Sequence, residues 1–248
     1  MKQLFLIVLL MTVFMCYNLI KHHRKWGGNM KKTVLAFFFL ILFLVGCGNS
    51  KLPKPEVSDG FLGTFGIDKN INNFTIDKYL GREDTVYRDM RMLVDPADYE
   101  KIGGDRFLSG YIKGFQVIPY PYLAPVLGLP EEVGPGYQGR TLFRITEDGN
   151  YLPNYEESFL ILEEIFPKDK NIFVMCGGGG YAMMTKNMLI KLGWDPNKIW
   201  NVGCYWHYEG ENDVVVKEYY DEDKYYYAFH RVEYLVIDFD SLAPLDND

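Results

Sequence analysis

Cysteine and histidine are both scarce in this chain, four of each in 248 residues. Cys16 and Cys47 fall near the start, which leaves Cys176 and Cys204 for everything that follows. Two thiols exclude a disulfide-stapled scaffold, and no Cys/His spacing forms a zinc set, so neither metal nor cofactor is expected. The single long glycine run lacks the Lys-Ser/Thr that follows it in a nucleotide-binding loop. Residues 1–46 contain six Lys/Arg and no acid; without them the formal charge moves from −7 to −13. A field of that sign repels phosphate backbones and anionic headgroups, which argues against nucleic acid as a partner. No internal repeat is visible.

Two apolar runs, Leu4–Val13 and Val34–Val45, each follow lysine. The second has the layout of a secretory signal, with Lys31 and Lys32, an apolar core and then small residues. It is shorter than the about 20 residues that a membrane span needs. It ends in Leu44-Val45-Gly46-Cys47, which resembles the lipobox of bacterial lipoproteins. The resemblance implies cleavage before Cys47, lipid on its thiol, acylation of the new amino terminus, and a chain anchored to the cell membrane on its outer side. The competing reading is a plain signal peptide with a chance cysteine. Trp26-Gly27-Gly28-Asn29 permits a GGAGG ribosome-binding sequence just before the Met30 codon, so synthesis is expected to start at Met30. A genuine second apolar segment is the alternative.

The leader therefore covers residues 1–46 and a polar tether with Pro53 and Pro55 covers 47–70. Beyond it the pattern alternates. Thr85-Val86-Tyr87 and Gln116–Pro119 read as short strands, and the Pro-, Gly- and Tyr-rich residues 120–139 as an ordered loop or lid. Asn154 with Glu157 resembles a capping box, opening a helix along Tyr155, Phe159, Leu162 and Phe166 that Pro167 stops. Asn171–Met175 is apolar on both faces after its first residue, as a central parallel strand is. Ala182–Leu192 reads as a second helix closed by Gly193, and Ile199–Val202 as a further strand. Val214–Tyr219, Tyr225–Val232 and Tyr234–Asp238 suit an antiparallel C-terminal β extension over 211–248. The order predicts an α/β fold, a doubly wound parallel sheet with helices on both faces.

Open α/β sheets bind ligands at the carboxyl ends of their strands, which is where Cys176 falls. It is followed by Gly177, Gly178, Gly179 and Gly180, then Tyr181 and a helix. Glycines allow successive amides to curl into an anion-binding nest, and a helix start adds partial positive charge. Both favour thiolate, so the thiol is expected to titrate below about 8.5.

Residues 71–210 resemble the rhodanese-like domain, a sulfurtransferase. The matching pieces, in order, are Tyr87-Arg88-Asp89-Met90-Arg91, Asp95–Tyr99 as a helix, Tyr111-Ile112-Lys113-Gly114-Phe115 with Ile118-Pro119, the loop Cys176–Tyr181, and Val202-Gly203-Cys204. The resemblance implies that Cys176 takes a sulfane sulfur as a persulfide from a small sulfur donor and passes it to a thiol acceptor. Gly177–Tyr181 would bind the substrate, with Asp89 and Arg91 in support. Related phosphatase-type loops are one residue longer and end in Arg, where this chain has Ala182. The loop also departs from many thiosulfate-using members in having no Arg or Lys, and Tyr111 stands where the family usually has His. Arg91, Arg106, Lys113 and Lys186 are the candidate cations, and the Tyr181 hydroxyl a candidate donor. Asp89 and Arg91 read first as a pair tying a loop, Cys204 as a small core residue (the alternative being a thiol that resolves a Cys176 persulfide into a disulfide), His207 and His230 as surface or packing residues, and the tyrosines after Tyr219 as sheet packing. A rhodanese-type module that binds without turnover is the second functional reading.

Mass spectrometry of the unprocessed precursor is expected to find Met30 at the amino terminus; a peptide running from Lys25 to Lys31 would contradict that start.

Overall fold

A computed structural model of the chain describes residues 51–91, 110–126, 139–228 and 235–245. Cys47, the two apolar runs, Arg106, His230 and the helix expected around Asp95–Tyr99 lie outside the described residues.

Four strands form one parallel sheet. They are β1 (Thr85–Asp89), β3 (Gln116–Val117), β6 (Asn171–Cys176) and β7 (Ile199–Cys204), in the order β3-β1-β6-β7. All four were legible as β-branched or apolar runs, and β6 lies inside the sheet as its two-sided apolarity requires. The period of two divides each strand between two cores. In β6, Ile172, Val174 and Cys176 face one cluster, while Phe173 and Met175 face the other.

The first cluster is covered by α3 (Ser158–Ile165), α4 (Gly180–Lys191) and the short turn of helix α2 (Tyr120–Leu123). The second is covered by the 3-10 turn Ile76–Tyr79, by Phe115, and by Tyr205 and Tyr208. Among the described residues, both helices of eight residues or more therefore lie against one face, where the sequence predicted helices on both. Phe173 is fully buried in the second cluster, edge-on to Tyr87 at 5.5 Å and to Trp200 at 5.3 Å between centroids.

The tether is shorter than expected. Val57 bridges Asp68, and the buried Asp68 carboxylate accepts amides from Glu56, Asn70 and Ile71. The Asp68 amide donates to the Asn201 carbonyl at 2.7 Å, which occupies the outer edge of β7. An unpaired strand edge is a site for unwanted pairing, and this bond covers that edge at Asn201. Residues 57–70 belong to the fold.

Helix α3 begins at Ser158, not Asn154, and the capping box is absent. Ser158 Oγ accepts the Tyr155 amide, Asn154 Nδ2 donates to the Thr141 carbonyl, and the Glu157 carboxylate accepts the Ala243 amide. The side chains that resembled a cap are used in tertiary bonds. Tyr120–Leu123 is helical where an irregular loop was expected, and residues 127–138 of that loop lie outside the described residues.

Three further two-stranded pairings stand apart from the main sheet. β2 (Tyr111–Ile112) pairs antiparallel with β8 (Asp213–Val214), and β4 (Phe143–Ile145) with β5 (Tyr151–Pro153). β9 (Val216–Asp221) and β10 (Lys224–Ala228) make the antiparallel hairpin expected of the C-terminal extension. Its third strand does not follow among residues 235–238; Leu235 instead donates to the Val117 carbonyl. Tyr219, Tyr220, Tyr225 and Tyr226 of the hairpin are exposed, Tyr220 by 68%, and Tyr225 packs on Tyr219 and Tyr227 rather than in a core.

Phe173→Ala is expected to cost about 3–5 kcal/mol in urea unfolding, the usual loss for a buried phenylalanine that leaves a cavity. A loss below about 1 kcal/mol would show that the second cluster is not a packed core.

Candidate functional site

The strand register decides where Cys176 points. As the last residue of β6 it turns, like Ile172 and Val174, to the helix-covered face, and its residue is only 4% exposed. The chain then reverses through the glycines into α4. Of the four, only Gly179 has a positive φ, +96°. A side chain there would also press on Phe65 and Ile67 at 3.1 Å.

Gly177 and Gly178 are glycine for a different reason. The Trp206 indole lies on them, and a Cβ on Gly177 would stand 2.6 Å from that ring. The Trp206 amide also donates to the Gly177 carbonyl at 3.2 Å. Trp206, on the 3-10 turn Tyr205–His207, is 45% exposed and forms an outer wall of the loop. Sequence reasoning missed it, since nothing local links residue 206 to residue 177.

The Gly179 amide donates to Cys176 Sγ at 3.0 Å. The amides of Ala182 and Tyr181 also act on the sulfur, and all three favour its charged form. The expected curl of inward amides is present, and its effect on the free thiol is outweighed. Burial pushes the Cys176 thiol up to about 11, and the Asp89 carboxylate pushes the same way. The expectation of a depressed pKa is therefore corrected. Removing the sulfur from water costs the thiolate more than three amides return.

Asp89 and Arg91 are both buried and bound to each other, with the Arg91 amide also donating to Asp89 Oδ1 at 3.0 Å. Arg91 further donates to the Gly110 carbonyl and stands 4.1 Å from the centre of the Tyr205 ring. The pair is committed to holding the end of β1 against residue 110, the structural role expected first. Of the other candidate cations, Lys113 is exposed in the turn after β2, and Lys186 is half-buried on α4. Burial pulls the Lys186 pKa down while Asp68 pulls it up, so its counter-charge belongs to the N-terminal segment.

Tyr181 stacks on Tyr120, with centroids 5.8 Å apart and planes at 26°. Its hydroxyl is buried and has no hydrogen-bond partner among the described residues. Burial raises its pKa, and a charge on Cys176 raises it further, so the phenol stays protonated as a potential donor near the sulfur. Asn201, a second residue missed, ties the loop down. Its Nδ2 donates to the Phe65 carbonyl at 2.7 Å and the Gly179 carbonyl at 3.3 Å, and its Oδ1 accepts the Gly203 amide. An asparagine inside the apolar run Ile199–Val202 was the available signal.

Cys204 is buried and free, the in-register neighbour of Cys176 on β7. His207 is exposed. Among the described residues no three His, Cys, Asp or Glu side chains gather as metal ligands, and no helix is long and apolar enough to cross a membrane. Compared with known proteins, the chain matches no family model, no curated protein and no solved structure.

The raised thiol has a stability consequence. The folded chain holds the Cys176 proton more tightly than the unfolded chain, whose thiol titrates near the ordinary value of 9.0. The stability this group contributes is complete below that pH and is lost as the pH rises towards 11. Urea midpoints are therefore expected to fall more between these two pH values for the natural chain than for Cys176→Ser. Equal falls would contradict a buried, protonated thiol.

Proposed function

We propose that the chain is a rhodanese-like sulfurtransferase, anchored outside the cell membrane by lipid on Cys47, that carries sulfane sulfur as a persulfide on Cys176. The observation that supports it most is the cysteine at the end of an interior parallel strand, with the Gly179 amide 3.0 Å from its sulfur and a 12-residue helix starting at Gly180. The parallel sheet and the ordered signatures from Tyr87 to Cys204 support the same family reading.

Cys176 Sγ attacks the sulfane sulfur of the donor. The Sγ–S bond forms as the donor's S–S bond breaks (the C–S bond in 3-mercaptopyruvate), and the departing sulfur (the methylene carbon in 3-mercaptopyruvate) takes the electron pair and the thiol proton. An acceptor thiol then attacks the outer sulfur of the persulfide and restores Cys176. The amides suit the product better than the starting thiol. A persulfide is the stronger acid, so its anion draws full benefit from hydrogen bonds that only partly offset burial of the thiolate. Tyr181 supplies a further donor that no group among the described residues uses. Asp89 and Arg91 act as support, holding the strand end rather than meeting substrate.

The protonated, buried thiol and a loop without Arg or Lys favour one competing reading, a rhodanese-fold module that binds a ligand or partner at the cell surface without turnover. One experiment separates the two. The full chain is incubated with polysulfide, thiosulfate or 3-mercaptopyruvate, quenched in acid and weighed by intact-mass spectrometry. The sulfurtransferase reading expects a single added sulfur on Cys176 that disappears on adding a thiol, and its complete absence in Cys176→Ser. No added sulfur with any donor would leave the binding module.

A further inference from the structure

We infer that Cys204 is a second reacting thiol, which resolves the persulfide on Cys176 into a Cys176–Cys204 disulfide and releases hydrogen sulfide. The inference rests on the persulfide reading above for its first step, and on strand geometry for its second.

The geometry begins with register. After an irregularity between Val174 and Met175, β6 and β7 resume pairing with Met175 opposite Gly203 and Cys176 opposite Cys204. Before it, in-register partners share a face: Ile172 and Ile199 enter the first cluster, and Phe173 and Trp200 the second. Beyond it Cys176 packs in the first cluster and Cys204 is buried outside both. The register thus sets the two backbones side by side, and a rotamer change must bring the sulfurs together. Paired strands run about 4.8 Å apart, inside the span of Cα separations that a disulfide bridges. Both thiols are buried and unoxidised.

The turns that follow the two cysteines also touch. Trp206, two residues after Cys204, donates its amide to the carbonyl of Gly177, one residue after Cys176, and covers that glycine with its ring. The two strand ends thus form one unit. Cys204 Sγ holds only a weak contact to Asn73 Oδ1, 3.9 Å away. A thiol is a poor donor, so a change of rotamer gives up little. The His207 amide acts on the Cys204 sulfur and favours its thiolate, against burial that disfavours it.

The step balances without an outside oxidant. Cys204 Sγ attacks Sγ of the Cys176 persulfide, and the bond between the two cysteine sulfurs forms as the bond to the outer sulfur breaks. The outer sulfur leaves with the electron pair and the Cys204 proton, as hydrogen sulfide. The sulfane sulfur is reduced and the two thiols are oxidised to a disulfide. A bridge between neighbouring parallel strands departs from relaxed disulfide geometry, which makes it readily reducible by a small thiol.

The test uses the full chain. Polysulfide loads the protein, excess is removed, and samples quenched at intervals are analysed by intact mass, peptide mapping and a hydrogen sulfide electrode. The natural chain is expected to lose the added sulfur, release hydrogen sulfide and yield a Cys176–Cys204 peptide, mapped apart from Cys16 and Cys47. In Cys204→Ser the added sulfur should persist at least about 10-fold longer, a difference of about 1.4 kcal/mol in barrier. Cys204→Ala serves as the second variant. A parallel arm treats the thiol form with diamide, a two-electron oxidant, and expects the same disulfide. Equal persistence of the added sulfur in the natural and variant chains would overturn the resolving role. So would failure of both polysulfide and diamide to yield the bridge. If no sulfur is ever taken up, the sulfurtransferase reading fails, and the diamide arm alone decides whether the two thiols form a redox pair.

Discussion

A sulfur buried at the end of an interior strand, facing three inward amides, is the constraint from which the rest of the site follows. Burial favours the proton on Cys176 and the amides favour its loss; burial wins for the free thiol, which is held up at about 11. The amides become decisive only for a species whose charge is easier to expose, and a persulfide is such a species. On the sulfurtransferase proposal, the loop is a cradle for the loaded sulfur rather than an activator of the empty one. This also reconciles a loop without Arg or Lys with a sulfur-carrying role.

Such a cradle works only if its amides are fixed before sulfur arrives. Three contacts fix them. Asn201 holds the Gly179 carbonyl from the next strand, Ile67 and Phe65 pack against Gly179 from the N-terminal segment, and Trp206 closes over Gly177 and Gly178. The glycines thus answer two distinct demands. Gly179 supplies left-handed backbone, while Gly177 admits an indole at a distance no side chain would allow and Gly178 lets the same ring lie close. The same Trp206 turn joins the ends of β6 and β7, which is why the two free cysteines belong to one unit of structure.

Strands, the second helix and the cysteine loop were legible because each is written in consecutive residues. Asn171–Cys176 announced an interior strand by being apolar on both faces, and α4 was placed within two residues at its start. The failures are of another kind. The Asn154–Glu157 pattern has the spacing of a cap, yet its side chains bind Thr141 and Ala243, partners that lie 13 and 86 residues away. The segment at 57–70 looked like a tether because its order comes from one buried carboxylate and from a backbone bond to β7, neither of which leaves a periodic pattern. The hairpin of β4 and β5, which turns near Asp148-Gly149, was not expected, although an Asp-Gly pair favours such turns. The direction of the Cys176 pKa was misjudged because amides can be read from glycines while the depth of burial cannot.

The claim at the centre, that the loop amides bind the loaded sulfur more strongly than the free thiol, is tested most directly by amide resonances. With uniformly 15N-labelled protein, the amide protons of Gly179, Tyr181 and Ala182 should move downfield as Cys176 takes up sulfur, the mark of stronger hydrogen bonds to a newly charged acceptor. Resonances that stay in place, or move upfield, while mass spectrometry confirms the added sulfur would mean that the loop does not hold it.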